Sequence, residues 1–371
     1  MYIRSLSLQN FRCYTELTIR PGEGLNILAG KNAQGKSSIL EAIYLLATAR
    51  SWRAGKDTEL IRWDADYAHV VGDIARAEQN DIDVEVFIGR AEKKQIKINT
   101  IRQTRLADLL GQVNALFIGP QDLEIVAGDP SERRKFLNLE ISQLQPEYCH
   151  LLVNYKKVLD QRNKLLRDLA QRGLSDGVLD VLNEQLIMYG SRIIERRLSF
   201  LTRASDLSRV IHAQLTDGAE VLAVEYKSSL GRIEGTSEAE IAEQFRRRLG
   251  EVRSEELRRG VTLAGPQRDD ALITANDIDI RTYGSQGQQR TAALSLRLAE
   301  LEMMEETAQE PPIVLLDDVM TDLDEDRRTH VFEMTIGRCQ TFATTASLKF
   351  FEEEFVREGK LFEVANGMVK G

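Results

Sequence analysis

One eight-residue segment limits what this chain can fold into more than any other: residues 30–37 read GKNAQGKS and match the pattern G-x-x-x-x-G-K-[ST]. An apolar run, Leu25 to Leu28, precedes the segment, and residues with helical spacing follow it from Ser38 to Ala49. In a strand, glycine-rich turn and helix of this order, backbone N–H groups and the positive end of the helix surround a phosphate. The segment therefore predicts an α/β domain with a phosphate-binding loop, and a plain strand-to-helix turn is a much weaker interpretation.

The side chains of this loop have distinct expected roles. Lys36 is expected to reach the β- and γ-phosphates of a bound nucleotide, and Ser37 to bind Mg²⁺. The other residues expected to contact the nucleotide are Gly30, Lys31, Asn32, Ala33, Gln34, Gly35 and Ser38. ATP and Mg²⁺ are therefore the expected ligands.

A second apolar run, Ile313 to Leu316, ends in Asp317 and Asp318. Such a run is typical of a buried parallel strand that delivers acids to its C-terminal edge. We expect Asp317 to hold the Mg²⁺ ion, directly or through water, and Asp318 to orient or deprotonate the attacking water. Since adjacent strand residues point to opposite faces, the strand must end here for both acids to serve one site. With Lys36 they form the predicted catalytic set, although a pair of acids capping a strand end remains the alternative interpretation.

The spacing of apolar residues changes twice along the chain. Alternating residues such as Leu6 and Leu8 predict strands in the first part, and further strands are predicted at 84–88, 96–98 and 341–343. From about residue 132 to 256 the apolar residues recur with helical spacing, with breaks expected at Gly173, Gly177 and Gly190 and a possible strand within 221–235. We therefore expect an α/β head of mixed sheets and helices, 1–125 with 256–371, split by a mostly α-helical arm, 126–255.

Charge and composition narrow the class of partner. The net charge is -9 and the pI is about 5.3, which by themselves disfavour a nucleic-acid partner. The helical middle region nevertheless concentrates bases, at Lys156, Lys157, Arg162, Lys164, Arg167, Arg192, Arg196, Arg197, Arg203 and Arg246 to Arg248. From spacing alone, these bases fit a solvated helix face as well as a nucleic-acid surface.

Other site types find no support in the sequence. The three cysteines lie far apart without a CxxC pair, which predicts buried or half-buried thiols and no disulfide or zinc site, and the four histidines are equally scattered. No run approaches the roughly 18 apolar residues of a membrane span. The N-terminus has no signal-peptide core, so the expected location is the cytoplasm.

Residues 283–290, YGSQGQQR, precede a helical pattern and resemble the signature of ABC ATPases. That motif has the form S-x-G-Q at a helix start, and Ser285, Gly287 and Gln288 fit it. The resemblance implies that the serine hydroxyl and nearby amides contact the γ-phosphate of ATP held by the opposite subunit. Residues 321–324, TDLD, resemble the D-loop of the same dimer interface. A flexible glycine-rich helix cap is the alternative interpretation of the 283–290 segment.

Most of the chain lies between the phosphate loop and the signature, as a helical insertion of medium length. This length resembles that of the RecF family of ABC/SMC-like ATPases, because transporter ATPases have a shorter helical insertion there and SMC proteins have a long coiled coil. The segments that look like this family are NFRCY (10–14), LEAIYLLATARSWR (40–53), GDPSERRKFL (128–137) and GPQRDD (265–270). The resemblance covers essentially the whole chain. It implies a homodimer closed by ATP, nonspecific binding of single-stranded, gapped or junction DNA, partnership with RecR and RecO, and a role in RecA loading, fork recovery and the SOS response.

The sequence departs from the family pattern at a few positions. The family usually has histidine at Gln267, glutamate near Gln121, glycine at Ala33 and threonine at Ser37. Ala33 is small enough to leave the loop intact unless its backbone needs a positive φ. Gln121 is a candidate Q-loop residue that links the γ-phosphate to the arm.

Slow hydrolysis is expected because Thr344 and Thr345 stand where transporters place a switch histidine. Two alternatives remain open. One is an ABC ATPase subunit of another system, such as a transporter, and the other is a clamp or scaffold that binds ATP without hydrolysing it.

Overall fold

The computed structural model describes residues 1–76, 80–172, 177–319, 323–351 and 353–371. The chain divides into two compact units, Met1–Asp122 with Ala293–Gly371, and Leu123–Ala292. The division therefore falls at 122 and 292, where the sequence predicted 125 and 255. Residues 270–275 belong to the second unit because they pair along their whole length with the strand at 222–227.

The strands, in chain order, are β1 (Tyr2–Phe11), β2 (Tyr14–Ile19), β3 (Leu25–Ala29), β4 (Tyr67–Ala75), β5 (Ile82–Gly89), β6 (Gln95–Ile98), β7 (Ile101–Gln103), β8 (Ala115–Ile118), β9 (Leu222–Lys227), β10 (Asp270–Ala275), β11 (Ile278–Asp279), β12 (Ile313–Leu316), β13 (Thr341–Thr345), β14 (Lys360–Ala365) and β15 (Met368–Lys370). The helices are α1 (Lys36–Thr48), α2 (Leu123–Ala127), α3 (Pro130–Leu144), α4 (Pro146–Arg172), α5 (Gly177–Leu215), α6 (Glu238–Arg259), α7 (Ile280–Tyr283), α8 (Gln286–Ala308), α9 (Glu325–Thr335) and α10 (Glu353–Glu358).

A mostly parallel sheet forms the centre of the first unit, with strand order β15-β14-β3-β13-β12-β8. Strands β14, β3, β13, β12 and β8 pair in parallel, and β15 pairs antiparallel with β14. The β12 run Ile313 to Leu316 is fully buried, as a strand covered on both faces must be. Helix α1 is apolar almost all round and buries Ile39, Leu40 and Ile43.

An antiparallel sheet of order β2-β1-β4-β5-β6-β7 completes this unit. Its strands alternate buried and outward residues, which confirms the strands predicted from alternation. The buried side chain of Gln340 joins β1 to the start of β13: its Nε2 donates to Ile3 O at 2.9 Å, and its Oε1 accepts from Ile3 N at 2.7 Å. Backbone groups at the start of β1 are thus satisfied by a residue that lies 337 positions later in the chain.

The second unit is mainly helical, with α4, α5 and α6 packed against one another and a sheet of order β11-β10-β9. The predicted break at Gly190 is wrong, because α5 runs through it from Gly177 to Leu215. A Cβ at residue 190 would lie 2.5 Å from Phe245 Cε1 and 3.0 Å from a ring atom of Tyr155. Glycine is needed there for close helix packing, not for a turn.

Two predicted surface bases lie inside this unit. Arg162 is 1% exposed and bonds Glu256 Oε2 at 2.6 Å and Thr262 Oγ1 at 2.8 Å. Arg197 is equally buried and donates to Pro266 O at 2.7 Å and Tyr148 Oη at 3.0 Å. Periodicity did not separate them from surface bases, because both occur on helices that also carry exposed bases, such as Lys164 on α4 and Arg196 on α5. Both interpretations of these bases, a solvated helix face and a nucleic-acid surface, are therefore wrong for Arg162 and Arg197, which are buried structural residues.

Candidate functional site

Four parallel strands of the first unit end at the same edge of the sheet. The phosphate loop follows β3, Thr344 and Thr345 end β13, Asp317 and Asp318 follow β12, and Gln121 follows β8. Parallel strands carry their ligand sites outside their carboxyl ends. The strand order thus brings the predicted loop and the predicted acids to one edge.

The phosphate loop is shaped by close contacts at its two glycines. Gly30 N donates to Thr345 O at 3.1 Å, and a Cβ at residue 30 would lie 2.2 Å from Val364 O on β14. Gly35 has φ 113°, and a Cβ there would lie 2.7 Å from both Cys13 Sγ and Tyr14 Oη. Only glycine fits at either position, so the loop has one backbone path around the space that a phosphate fills.

Ala33 adopts a left-handed conformation with φ 63°. The backbone at residue 33 therefore does need a positive φ, and the alanine occupies a region that favours glycine. A non-glycine residue there costs roughly 1–2 kcal/mol. The loop keeps its path in spite of this strain, because its two ends are fixed by β3 and α1.

Lys36 lies at the first position of α1 and is 4% exposed. Its Nζ donates to Gly30 O at 2.7 Å and to Lys31 O at 3.0 Å, so the ammonium group closes the loop on itself. An ammonium group in the mouth of a ring of backbone N–H groups suits the terminal phosphates of a nucleotide. The structure places the Lys36 ammonium group inside the phosphate loop, and its contact with the β- and γ-phosphates stays a prediction.

The phosphate loop and the acid strand meet at one hydrogen bond. Ser37 Oγ donates to Asp317 Oδ1 at 2.7 Å, although the two residues are 280 positions apart. Thr344 Oγ1 donates to the same carboxylate oxygen at 2.9 Å and accepts from Asp318 N at 2.9 Å. Sequence reasoning gave Thr344 no role in the site; its signal was a hydroxyl at the end of the strand next to β12.

Asp318 is separated from Asp317 by a change in backbone direction. Strand β12 ends at Leu316, and Asp318 has φ 51°, which ends the alternation of side chains across the sheet. The condition that the strand must end for both acids to serve one edge is fulfilled. Aspartate is among the residues that tolerate this left-handed region.

The oxygen atoms of Ser37 and Asp317 fit a magnesium site. Two adjacent ligands of an octahedral Mg²⁺ at about 2.0–2.1 Å from the ion lie about 2.9 Å apart, close to the 2.7 Å found here. Within the described ranges of the chain, no group of three or more His, Cys, Asp or Glu residues could hold a metal.

Residues of the β1–β2 turn lie beneath the phosphate loop. Tyr14 Oη donates to Gly35 O at 3.2 Å, and burial raises the pKa of this phenol above its ordinary value. Desolvation likewise raises the pKa of the Cys13 thiol. Cys13 is exposed, which corrects the expectation of a buried or half-buried thiol, because it is the second residue of the tight turn at 12–13.

An ion pair holds the far side of α1. Arg12 donates to Glu41 Oε2 at 2.8 Å and Oε1 at 2.6 Å, and Ser51 Oγ bonds the same carboxylate. Glu41 is fully buried on α1, so this two-point contact is largely shielded from water. Arg12 and Ser51 occur in two of the segments that resembled the family, and the structure explains them by helix positioning.

Gln121 is exposed on a short 3₁₀ turn, Pro120–Asp122, after β8. The next residue fixes this turn: Asp122 Oδ2 accepts from Gly119 N at 2.8 Å, and its Oδ1 accepts from Arg297 Nε at 2.8 Å. The backbone around Gln121 is therefore held while its side chain is open to solvent.

The signature-like residues lie in the second unit, at the start of α8. Ser285 Oγ accepts from Gln288 N at 3.2 Å, and Gln288 Oε1 accepts from Ser285 N at 2.8 Å, which is the reciprocal pattern of a capping box. Ser285 and Gly287 are both exposed. The helix-cap interpretation is thus fulfilled geometrically, and it leaves the hydroxyl proton of Ser285 directed at neither partner of the box.

Of the D-loop segment, Thr321 and Asp322 lie outside the described residues, and Asp324 caps α9 by accepting from Arg327 N at 3.0 Å.

Comparison with known proteins agrees with this arrangement. Residues 2–369 match the family described as "RecF/RecN/SMC N terminal domain". The chain is 41% identical over 370 residues to "DNA replication and repair protein RecF" of Oceanobacillus iheyensis, covering 100% of each chain. It is 45% identical over 372 residues to the protein of the same name from Halothermothrix orenii, covering 100% of this chain and 98% of that one.

A solved structure agrees as closely. The one described as "Structure of the recombination mediator protein RecF-ATP in RecFOR pathway" superimposes with a TM-score of 0.92 at 35% identity, covering 100% of this chain and 97% of that one. Both the fold class and the family resemblance predicted from the sequence are confirmed. No helix in the described part of the chain has the length and apolar composition for crossing a membrane. Because residues 2–369 match the family and these two relatives are 41% and 45% identical over their full length or nearly so, the chain belongs to the RecF/RecN/SMC N terminal domain family, among the RecF proteins.

Proposed function

We propose that this protein acts in DNA replication and repair as an ATP-dependent DNA-binding protein, which dimerises on ATP and hydrolyses it slowly. The contact between Ser37 Oγ and Asp317 Oδ1 at 2.7 Å carries the nucleotide part of this proposal. It joins a phosphate loop to a buried strand acid at one sheet edge, and this pairing suits a triphosphate with its metal. The names of the relatives carry the repair part.

Each residue at the edge has a proposed task. The loop 30–37 binds phosphates through its backbone, Lys36 binds the terminal phosphates, and Ser37 and Asp317 hold Mg²⁺. When bound, Mg²⁺ neutralises charge that develops on the phosphates. Asp318 orients the attacking water and accepts its proton, while Gln121 contributes a polar group at the neighbouring strand end.

Dimerisation is proposed from the second unit. An added Cβ at Gly287 would meet nothing closer than Ser285 Oγ at 3.9 Å, and Gly287 has no positive φ. Within the described part of the chain, then, neither packing nor backbone conformation explains glycine there. A glycine beside an exposed serine at a helix start suits the close approach of a phosphate from another subunit. ATP held by Lys36 of one subunit and by Ser285 of its partner makes nucleotide binding and dimerisation one event.

The cargo of the closed dimer is proposed to be DNA in single-stranded, gapped or double-stranded form, bound through phosphate contacts. Arg162 and Arg197 are buried and are excluded as phosphate contacts. Exposed bases of the helical unit can still bind phosphates; examples are Lys157, Lys164 and Arg167. Partnership with RecR and RecO is proposed because one similar structure is described within the RecFOR pathway. Assistance to RecA loading and to the SOS response, and a cytoplasmic location, complete the proposal.

The deciding experiment is sedimentation of the protein with and without ATP and Mg²⁺, in the presence of a fluorescent gapped duplex at several salt concentrations. We expect an ATP-dependent dimer whose DNA affinity falls steeply with salt. A monomer that ignores nucleotide and DNA would refute the proposal and favour an ATPase subunit of another system. A dimer that binds DNA but releases no phosphate from ATP in a parallel hydrolysis assay would favour the clamp or scaffold.

A further inference from the structure

A chain of side-chain contacts leads from the end of helix α5 to the signature serine. His212, near the C-terminal end of α5, has a fully buried side chain, and its Nε2 lies 3.0 Å from Glu220 Oε2. The other carboxylate oxygen, Glu220 Oε1, accepts from Gln288 Nε2 at 2.8 Å. Gln288 Oε1 in turn accepts from Ser285 N at 2.8 Å. All four residues belong to the second unit.

The carboxylate in this chain decides which way the amide of Gln288 points. An amide group carries one acceptor and one donor end, and either end fits many surroundings. A carboxylate only accepts hydrogen bonds, so the NH₂ group of Gln288 must face Glu220 and its carbonyl oxygen must face Ser285 N. With the opposite orientation, two acceptors would face each other at Glu220 and two donors at Ser285.

The turn that carries Glu220 is itself fixed. Helix α5 ends in a tight turn in which Gly218 N donates to Ala213 O at 2.8 Å. Asn276, in the turn between β10 and β11, then bonds the residue after Glu220 from both sides: Val221 N donates to Asn276 Oδ1 at 2.8 Å, and Asn276 N donates to Val221 O at 2.9 Å. The residue next to Glu220 is therefore fixed to the β10–β11 turn, and Glu220 itself contacts the start of α8 through Gln288.

We propose that Glu220 is a positioning residue for the signature: oriented by His212, it fixes the amide of Gln288 and through it the Ser285 backbone that faces the nucleotide of the partner subunit. This inference rests on the proposed function and extends it to residues that match no part of the signature motif. Glu220 touches no nucleotide in this scheme and acts only through Gln288.

The test compares Glu220→Ala and Glu220→Gln with a matched control, Glu225→Ala. Glu225 is an exposed carboxylate on β9, a few positions along the chain, and pairs with Lys227. Three quantities are measured: the affinity of the monomer for a fluorescent ATP analogue, at protein concentrations below dimerisation; the dimer dissociation constant with ATP and Mg²⁺ from sedimentation; and the midpoint of thermal unfolding.

The phosphate loop is unchanged in these variants, so nucleotide affinity of the monomer stays within about twofold of wild type. A dimer contains the contact twice, and each lost hydrogen bond is worth about three- to tenfold, so Glu220→Ala weakens the dimer about ten- to a hundredfold. Glu220→Gln keeps the size of the side chain and an acceptor for His212 but lets the Gln288 amide turn over, so it weakens the dimer less and leaves thermal unfolding unchanged. Glu225→Ala leaves all three quantities unchanged.

Outcomes separate the two levels of the proposal. If wild type dimerises on ATP and both Glu220 variants dimerise equally well, the positioning role is refuted and the proposed function stands. If Glu220→Gln loses thermal stability in proportion to its dimer affinity, the contact is merely structural and the inference is wrong. If wild type itself does not dimerise on ATP, both fall.

Discussion

Thr344 Oγ1 donates a hydrogen bond to Asp317 Oδ1 at 2.9 Å and accepts one from the backbone N of Asp318, also at 2.9 Å. A single hydroxyl on β13 thus fixes both acids that follow β12. We expect Thr344→Val to raise the Mg²⁺ concentration needed for half-maximal turnover about ten- to a hundredfold, as loss of a group that orients a metal ligand does. The control, Thr344→Ser, keeps the hydroxyl and stays near wild type. A Mg²⁺ titration of ATP hydrolysis checks both, and equal behaviour of the two variants would contradict the assignment.

Ala33→Gly should stabilise the protein. Ala33 has φ 63°, and the left-handed region costs alanine roughly 1–2 kcal/mol, while the added freedom of glycine in the unfolded chain costs about 0.4–1 kcal/mol. The net expectation is a gain of about 0.5–1 kcal/mol in the free energy of unfolding, measured with urea. Ala42→Gly, in the buried interior of α1, provides the opposite sign with a loss of at least about 1 kcal/mol. A loss in both variants would show that the loop does not hold Ala33 in this conformation.

Gly35→Ala should abolish nucleotide binding. The new Cβ would lie 2.7 Å from Cys13 Sγ and Tyr14 Oη at a backbone φ of 113°, so the loop must move from its path around the phosphates. We expect at least a hundredfold loss of affinity for a fluorescent ATP analogue. Gly24→Ala is the matched control, because a Cβ there meets no described atom within 4 Å and the residue has no positive φ. Unchanged affinity in Gly35→Ala would mean that the loop is not the phosphate site.

Lys36→Ala and Asp318→Asn should separate binding from turnover. Lys36 closes the loop through Gly30 O and Lys31 O, and its removal is expected to abolish nucleotide binding and ATP-dependent dimerisation together. Asp318→Asn is expected to keep binding and to trap the dimer, because the water loses its proton acceptor. Sedimentation with ATP followed by a phosphate-release assay distinguishes them. Normal hydrolysis by Asp318→Asn would refute the role given to that carboxylate, and a dimer formed by Lys36→Ala would break the link between nucleotide and dimer.

Arg162→Ala should unfold the helical unit more readily without a direct effect on DNA contacts. Its removal leaves Glu256, which is fully buried, without its partner at 2.6 Å. Breaking such a pair costs about 3–5 kcal/mol. Arg167→Ala, at an exposed position of the same helix, should cost less than about 0.5 kcal/mol and should lower the salt dependence of DNA binding if Arg167 contacts phosphate. Urea unfolding and salt titrations read the two effects separately.

The parts of this protein that were predictable from sequence are those that local order determines. The phosphate loop combines a strand, a turn and a helix within about 25 residues, so its pattern alone predicted the elements that the structure contains at 25–29 and 36–48. The apolar strand at 313–316 was predictable for the same reason, since burial on both faces needs a continuous apolar run.

What the sequence concealed depends on contacts between distant segments. Thr344 joins the site only because β13 pairs in parallel beside β12, and no spacing rule predicts that order. Gly190 reads as a helix break until Phe245 and Tyr155 are seen against it. Arg162 differs from the exposed bases of α4 only in facing Glu256 and Thr262 from other parts of the unit. Each of these depends on tertiary packing that overrides a local preference.

The sheet that carries the phosphate loop draws strands from both ends of the chain: β3 lies between β13 and β14, whereas residues 123–292 form a unit of continuous sequence. During translation the loop emerges first, and its neighbour β14 is made roughly 330 residues later. At a synthesis rate of about 5–20 residues per second, roughly 15 to 65 seconds pass between the synthesis of β3 and that of β14. The helical unit is free to fold in that interval, while β3 and β8, which are made before it, still lack the strands that pair with them in the sheet. A chain that lacks residues 341–365 would therefore contain the whole helical unit but neither of the two strands that flank β3 in the sheet.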